Sequence, residues 1–101
     1  NAQGADNGTG EFGLMQSYPN PFNQTTTITF KVPEACYVNL TIYNQRGQLI
    51  RTLHSGSIAA GAHKSIWNGT DTNDDKVAGG VYFYRMKAKD FVATRKLLFA
   101  R

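Results

Sequence analysis

The chain has 101 residues, 41% hydrophobic, 18% charged and 12% aromatic, with one Cys and a formal net charge of +4. That length holds one domain burying roughly two-thirds of its unfolded surface, and low charge with twelve aromatic rings excludes intrinsic disorder. A single Cys excludes an intramolecular disulfide framework and a Cys-cluster zinc site, and no apolar run approaches the roughly 18 residues of a membrane-spanning helix.

Residues 1–13 open with the polar, Gly-rich run Asn1 to Gly10 and read as a linker from an upstream domain, with the folded domain over 14–101. No window keeps the apolar i, i+3, i+4, i+7 face of a helix, whereas period-two alternation recurs. In Thr26 to Val32 it sets Ile28, Phe30 and Val32 on one face. In Tyr37 to Tyr43 it does the same for Val38, Leu40 and Ile42. Pro33 separates these two strands, having no N–H to give a ladder. Asn44-Gln45-Arg46-Gly47 is a hairpin connection to an irregular strand over Leu49 to His54. Ser55 to Gly61 reads as a turn region, and His63 to Trp67 as the next strand, with His63, Ser65 and Trp67 on one face. Gly80 to Ala88 sets Tyr82, Tyr84, Met86 and Ala88 on one face; a tight Ala88-Lys89-Asp90 turn then leads to Phe91 to Phe99. Short strands with turn signals about every ten residues indicate an all-β antiparallel sandwich of about seven strands, with Phe30, Leu40, Ile42, Trp67, Tyr82 and Tyr84 inside.

The charge is uneven. From Arg85 to Arg101, six basic residues stand against Asp90 alone. Lys and Arg on a strand edge discourage edge-to-edge pairing; the same charge would also dock an acidic partner. Nucleic acid is not expected, because no basic helical stripe, RNA motif or zinc finger accompanies the charge.

Residues able to do chemistry are few. Cys36 lacks a nucleophile elbow and reads as a small hydrophobe, and His54 and His63 lack a third ligand for zinc. Asp71, Asn73 and Asp75 alternate as calcium-loop ligands do, but the Gly and bidentate Glu of such loops are missing. The segment therefore reads first as an Asx-turn loop, with calcium second. Tyr37, Tyr43 and Phe83 on outward strand faces leave open a carbohydrate-binding or adhesin-like accessory module. No enzyme activity and no cofactor are expected.

Leu14-Met15-Gln16-Ser17-Tyr18-Pro19-Asn20-Pro21-Phe22-Asn23 resembles the opening of the C-terminal sorting domains (type A) of type IX secretion cargo. Val38 to Asn44 with Gly47, Ala60-Gly61 with His63, Trp67-Asn68-Gly69, Ala78 to Arg85 and Lys96-Leu97-Leu98 follow in the same order. The related immunoglobulin-like domain of flagellar hook-capping proteins shares the Trp-x-Gly-x-Asp and Gly-Val-Tyr elements but not usually the Tyr-Pro-Asn-Pro-Phe-Asn opening. The resemblance implies an immunoglobulin-like sandwich that serves as a secretion signal for a covalently linked passenger. Its implied partners are an outer-membrane translocon and a sortase-like peptidase, and its implied location is secreted or at the cell surface, as a monomer. Recognition is expected on Gly80, Tyr82, Lys96, Leu97 and Leu98, where an exposed strand edge could be read by β-augmentation. Pro19, Asn20, Pro21, Phe22, Trp67 and Gly69 are expected to be structural motif residues, and cleavage is expected between Asn1 and Leu14.

Overall fold

The structure, a computed structural model, describes residues 11–101; the part of the expected linker over residues 1–10 lies outside them. Seven strands form two antiparallel sheets, β1-β2-β5 and β4-β3-β6-β7. They are β1 (Gly13–Leu14), β2 (Thr26–Val32), β3 (Cys36–Tyr43), β4 (Leu49–Ile58), β5 (Gly61–Trp67), β6 (Gly80–Ala88) and β7 (Phe91–Phe99). Alternation sets each face. β2 buries Ile28, Phe30 and Val32, β3 buries Val38, Leu40 and Ile42, and β6 buries Tyr82, Tyr84, Met86 and Ala88. These side chains meet between the sheets with Trp67 from β5 and with Leu97 and Phe99 from β7. All six residues expected inside are buried.

The turns follow their local chemistry. Asn44 Oδ1 accepts the N–H groups of Arg46 and Gln48, both at 2.9 Å, and Gly47 N–H closes on Asn44 O at 3.0 Å. Lys89 and Asp90 alone join β6 to β7, whose register pairs Ala88 with Phe91 and continues unshifted to Gly80 and Phe99.

Two segments differ from expectation. Ser55 to Gly61 is not a turn region: β4 continues to Ile58 and β5 starts at Gly61, leaving Ala59-Ala60 as the corner. Ser57, Gly56 and Ser55 pair with Tyr37, Val38 and Asn39 of β3, and these long-range ladder partners override the local turn preference of small residues. The β3–β4 register also slips between Leu40 and Thr41 and between Ile42 and Tyr43. These bulges explain the poor alternation of β4 and bend an edge strand away from intermolecular pairing. The second difference is β1, where Gly13 faces Lys31 and Leu14 faces Phe30. Two residues carry no alternation signal, so this strand was invisible in the sequence. Just before it, Phe12 stacks on Phe91 with ring centroids 5.3 Å apart.

Candidate recognition site

The opening motif and the closing strand, 70 and more residues apart in sequence, form one structure. From Met15 the chain follows β2, where Met15 N–H bonds Thr29 O at 2.9 Å and Tyr18 exchanges two bonds with Thr27 at 2.9 and 3.0 Å. Thr26 Oγ1 donates to Pro19 O at 2.7 Å, and the Tyr18–Pro19 and Asn20–Pro21 bonds are both cis. The segment then reaches β7. Gln16 Nε2 donates to Lys96 O at 3.0 Å, and Leu98 N–H donates to Asn20 Oδ1 at 2.9 Å. Phe22 N–H donates to Leu98 O at 3.1 Å, and Ala100 N–H donates to Phe22 O at 2.7 Å. Arg95 Nε adds a bond to Leu14 O at 2.5 Å. In an unshifted antiparallel ladder, outward backbone groups fall on every second residue, so Leu98, Lys96, Thr94 and Val92 carry the outer edge of β7. Gln16, Asn20 and Phe22 occupy its last part. The expected reading of that edge by β-augmentation therefore meets an edge whose last part, at Lys96 and Leu98, is already taken by the chain's own opening motif.

Beneath this contact lies an aromatic cluster. Phe22 stacks on Phe99 at 4.7 Å and 13°, and Trp67 lies 5.6 Å from Phe22, 6.0 Å from Phe99 and 5.3 Å from Tyr82. Trp67 Nε1–H finds Thr70 O at 2.8 Å, as a buried indole requires. Gly69 packs against the Cζ end of the Phe99 ring: a Cβ there would come within 2.5 Å of Phe99 Cζ, and its φ is +75°. Asn20, Pro21, Phe22, Trp67 and Gly69 thus gather around the C-terminal end of β7, while Pro19 is tied through its carbonyl to Thr26 of β2.

The five expected recognition residues divide by face. Tyr82 and Leu97 point inward and are buried, and Gly80 sits opposite Phe99. Lys96 and Leu98 alone among them present side chains outward, Leu98 being 40% exposed. Tyr82 Oη donates to Ala78 O at 2.5 Å, and burial raises its pKa above 10.0.

Tyr84, which alternation along Gly80 to Ala88 placed in the core, also ties the opening segment to β6. Its hydroxyl receives Ser17 N–H at 2.8 Å and donates to Met15 O at 2.6 Å. Burial raises its pKa above 10.0, partly offset by the Ser17 bonds and by Arg95. A phenol whose folded pKa exceeds its unfolded value stabilises fully below the unfolded value and loses that contribution as pH rises through the folded one. Stability is therefore expected to fall above about pH 10, in the window opened by Tyr84 and Tyr82. Tyr84→Phe should cost about 1–3 kcal/mol near neutrality, because Ser17 N–H and Met15 C=O lose their partner, and should flatten the alkaline decline. Urea titrations at pH 7, 9, 10 and 11 read both effects; an unchanged alkaline slope would exclude Tyr84 as its source.

The other candidate residues are engaged locally. Asp71 Oδ1 accepts Asn73 N–H at 2.9 Å and Asp75 N–H at 3.1 Å, the geometry of an Asx turn. The Arg51 guanidinium bonds Asp71 O at 2.5 Å, Thr70 Oγ1 at 3.1 Å and Asp74 Oδ1 at 2.9 Å, so the chain itself brings a cation to this acidic loop. Sequence reasoning missed Arg51 because the bulges of β4 hide which face it takes. Among the described residues no three His, Cys, Asp or Glu side chains converge as metal ligands. His54 and His63 each hold a nearby carbonyl, of Gly56 and Ala59, beside the Phe30 ring. Cys36 is half-buried against the core edge. Tyr37, bonded to Ser55 Oγ at 2.7 Å, lies six residues along β3 from Tyr43, or about 20 Å. Tyr43 and Phe83, by contrast, are cross-strand neighbours.

A family model described as the FlgD Ig-like domain matches residues 16–90. No curated protein matches the chain in sequence. Among solved structures, dimeric latent PorU from Porphyromonas gingivalis is similar with a TM-score of 0.70 and 18% identity, over 85% of this chain and 9% of PorU. FlgD from Xanthomonas campestris is similar with a TM-score of 0.60 and 24% identity, over 87% of this chain and 64% of that one. PorZ, an essential bacterial surface component of the type-IX secretion system of P. gingivalis, has a TM-score of 0.56 and 20% identity, over 88% of this chain and 12% of PorZ. The chain thus spans a small part of PorU and PorZ and under two-thirds of FlgD, and at these identities the likeness establishes the fold.

Proposed function

This chain belongs to the FlgD Ig-like domain family, and from that premise we propose that it is a non-catalytic C-terminal sorting signal. It directs a covalently linked upstream passenger through an outer-membrane type IX translocon, for release or for attachment at the cell surface. The observation that carries the reading is the union of the two motifs behind the resemblance. Tyr18-Pro19-Asn20-Pro21-Phe22 and Lys96 to Phe99 meet through main-chain bonds and the Phe22–Phe99 stack, so the signal is a conformational epitope present only when the domain is folded. The fold shared with PorU and PorZ supports the same context. Cleavage by a sortase-like peptidase would fall before Phe12, since Leu14 is buried and paired in β1. The domain acts as a monomer, without cofactor or nucleic acid.

The test is to place residues 1–101 after a periplasmic reporter in a type IX-competent host. Deleting 96–101 is an unsafe control, because it removes Leu97 and Phe99 from the core. The Lys96→Glu and Leu98→Ser pair changes only outward side chains. Export of the unaltered fusion, and periplasmic retention of a paired variant that still folds, are expected. An unaltered fusion that stays in the periplasm would overturn the proposal.

A further inference from the structure

The outer face of the four-stranded sheet carries features that the fold does not use. Residues opposite one another in a ladder share a face, so Tyr43, Phe83 and Lys96 form one row, Thr41, Arg85 and Thr94 a second, Asn39, Lys87 and Val92 a third, and Val81 with Leu98 a fourth. Leu49, paired with Tyr43, extends the first row. Of the six exposed large apolar side chains among the described residues, Tyr37, Leu49, Val92 and Leu98 lie on this face. Two shallow depressions adjoin there. One, of about 350 Å³, is lined by Tyr43, Phe83, Arg85 and Thr94; the other, of about 280 Å³, by Pro21, Val81, Lys96 and Leu98.

The charge on this face has one sign. Arg85, Lys87 and Lys96 are exposed, and none of them is ion-paired with a described residue. No acidic side chain among the described residues lies in a strand: Glu11 precedes β1, Glu34 and Asp90 stand at turns, and Asp71, Asp74 and Asp75 gather in the loop that Arg51 holds. Arg85 lies over the Tyr43 ring, 5.7 Å from its centroid, which holds the guanidinium beside the first depression. Two copies of the face would repel each other, so a second copy of this chain does not fit it. A glycan would gain little from Leu49, Leu98 and Val92.

We infer that this face docks an acidic segment of a partner protein that seats aromatic or aliphatic side chains over Tyr43–Phe83 and Val81–Leu98 while its carboxylates meet Arg85 and Lys96. Apolar anchors supply the affinity and the basic side chains supply orientation and rate. Because the end of the β7 edge is occupied by Asn20 and Phe22, the partner reads side chains on the face instead of adding a strand there. The inference deepens the sorting reading by naming the chemistry of the partner. Binding is measured on the purified chain, so its failure and a failure of export are separate results.

The test is selection of a random peptide-display library on immobilised 1–101, with Arg85→Glu/Lys96→Glu as the counter-target. Enriched peptides should combine Asp or Glu with Phe, Trp, Leu or Ile, weaken as salt rises from 50 to 500 mM, and lose at least about tenfold in affinity on the double variant. Amide-shift mapping of the unaltered chain with a selected peptide should perturb Tyr43, Phe83, Arg85, Lys96 and Leu98 and spare Ile66 on β5. This second readout holds even if the double variant misfolds. Enrichment without excess acidic residues, shifts centred elsewhere, or equally tight binding of polyglutamate or dextran sulfate would each overturn the inference, the last by reducing the face to a general polyanion binder.

Discussion

Phe22→Ala is expected to lower stability by about 3–5 kcal/mol, the range for truncating a fully buried aromatic side chain. Phe22 is 2% exposed against Phe99 and Trp67, so its removal opens a void beside both rings. The same substitution should release the segment that covers β7. The amides of Leu98 and Ala100, which bond Asn20 and Phe22, should then exchange faster than the β6–β7 ladder amides. Urea denaturation and hydrogen exchange measure the two effects separately. Tyr18→Ala, four residues earlier at a side chain 80% exposed, should stay within about 0.5 kcal/mol. A loss below about 1 kcal/mol for Phe22→Ala would show that the opening motif is not packed as described. In that case the edge of β7 would be open after all.

The second large effect falls at the Cζ end of the Phe99 ring. Gly69→Ala should cost about 2–4 kcal/mol, combining two penalties. The new Cβ would stand 2.5 Å from Phe99 Cζ and 2.8 Å from Cε2, which forces the ring out of its stack. The φ of +75° adds about 1 kcal/mol for any residue with a Cβ. Gly47→Ala isolates the second penalty, because φ there is +81°, close to that of Gly69, and a Cβ would meet nothing within 4 Å. Introducing Phe99→Leu should recover part of the Gly69→Ala loss, giving a coupling of about 1 kcal/mol or more in a double-mutant cycle. Additive losses would show that backbone strain alone sets the requirement for glycine at this position.

Both effects converge on Phe99. The sequence marks Trp67-Asn68-Gly69 and Tyr18 to Phe22 as motifs without saying that they share a partner. Composition marks the β6–β7 hairpin as basic without saying which cations share a face. Lys96 and Arg85 prove to be outward neighbours of Tyr43 and Phe83, while Arg95 turns to Leu14. Alternation could order these residues along each strand. It could not order them across strands, because cross-strand neighbours depend on register.

The sequence by itself determined the all-β class, the strand faces of β2, β3 and β6, the position of most turns and the six large inward residues, but not the burial of Leu14, Leu97 and Phe99. Each of these is a local consequence of period-two patterning or of Pro, Gly and Asn chemistry acting over a few residues. Tertiary structure decided the rest. It drew Ser55 to Ile58 into β4 against their turn preference, seated Arg51 in the acidic loop, and closed the end of β7 with a segment more than 70 residues away. Those outcomes depend on backbone groups that find partners only after the sheets pack, and the alternation that defines a strand carries no record of which distant strand will satisfy its edge.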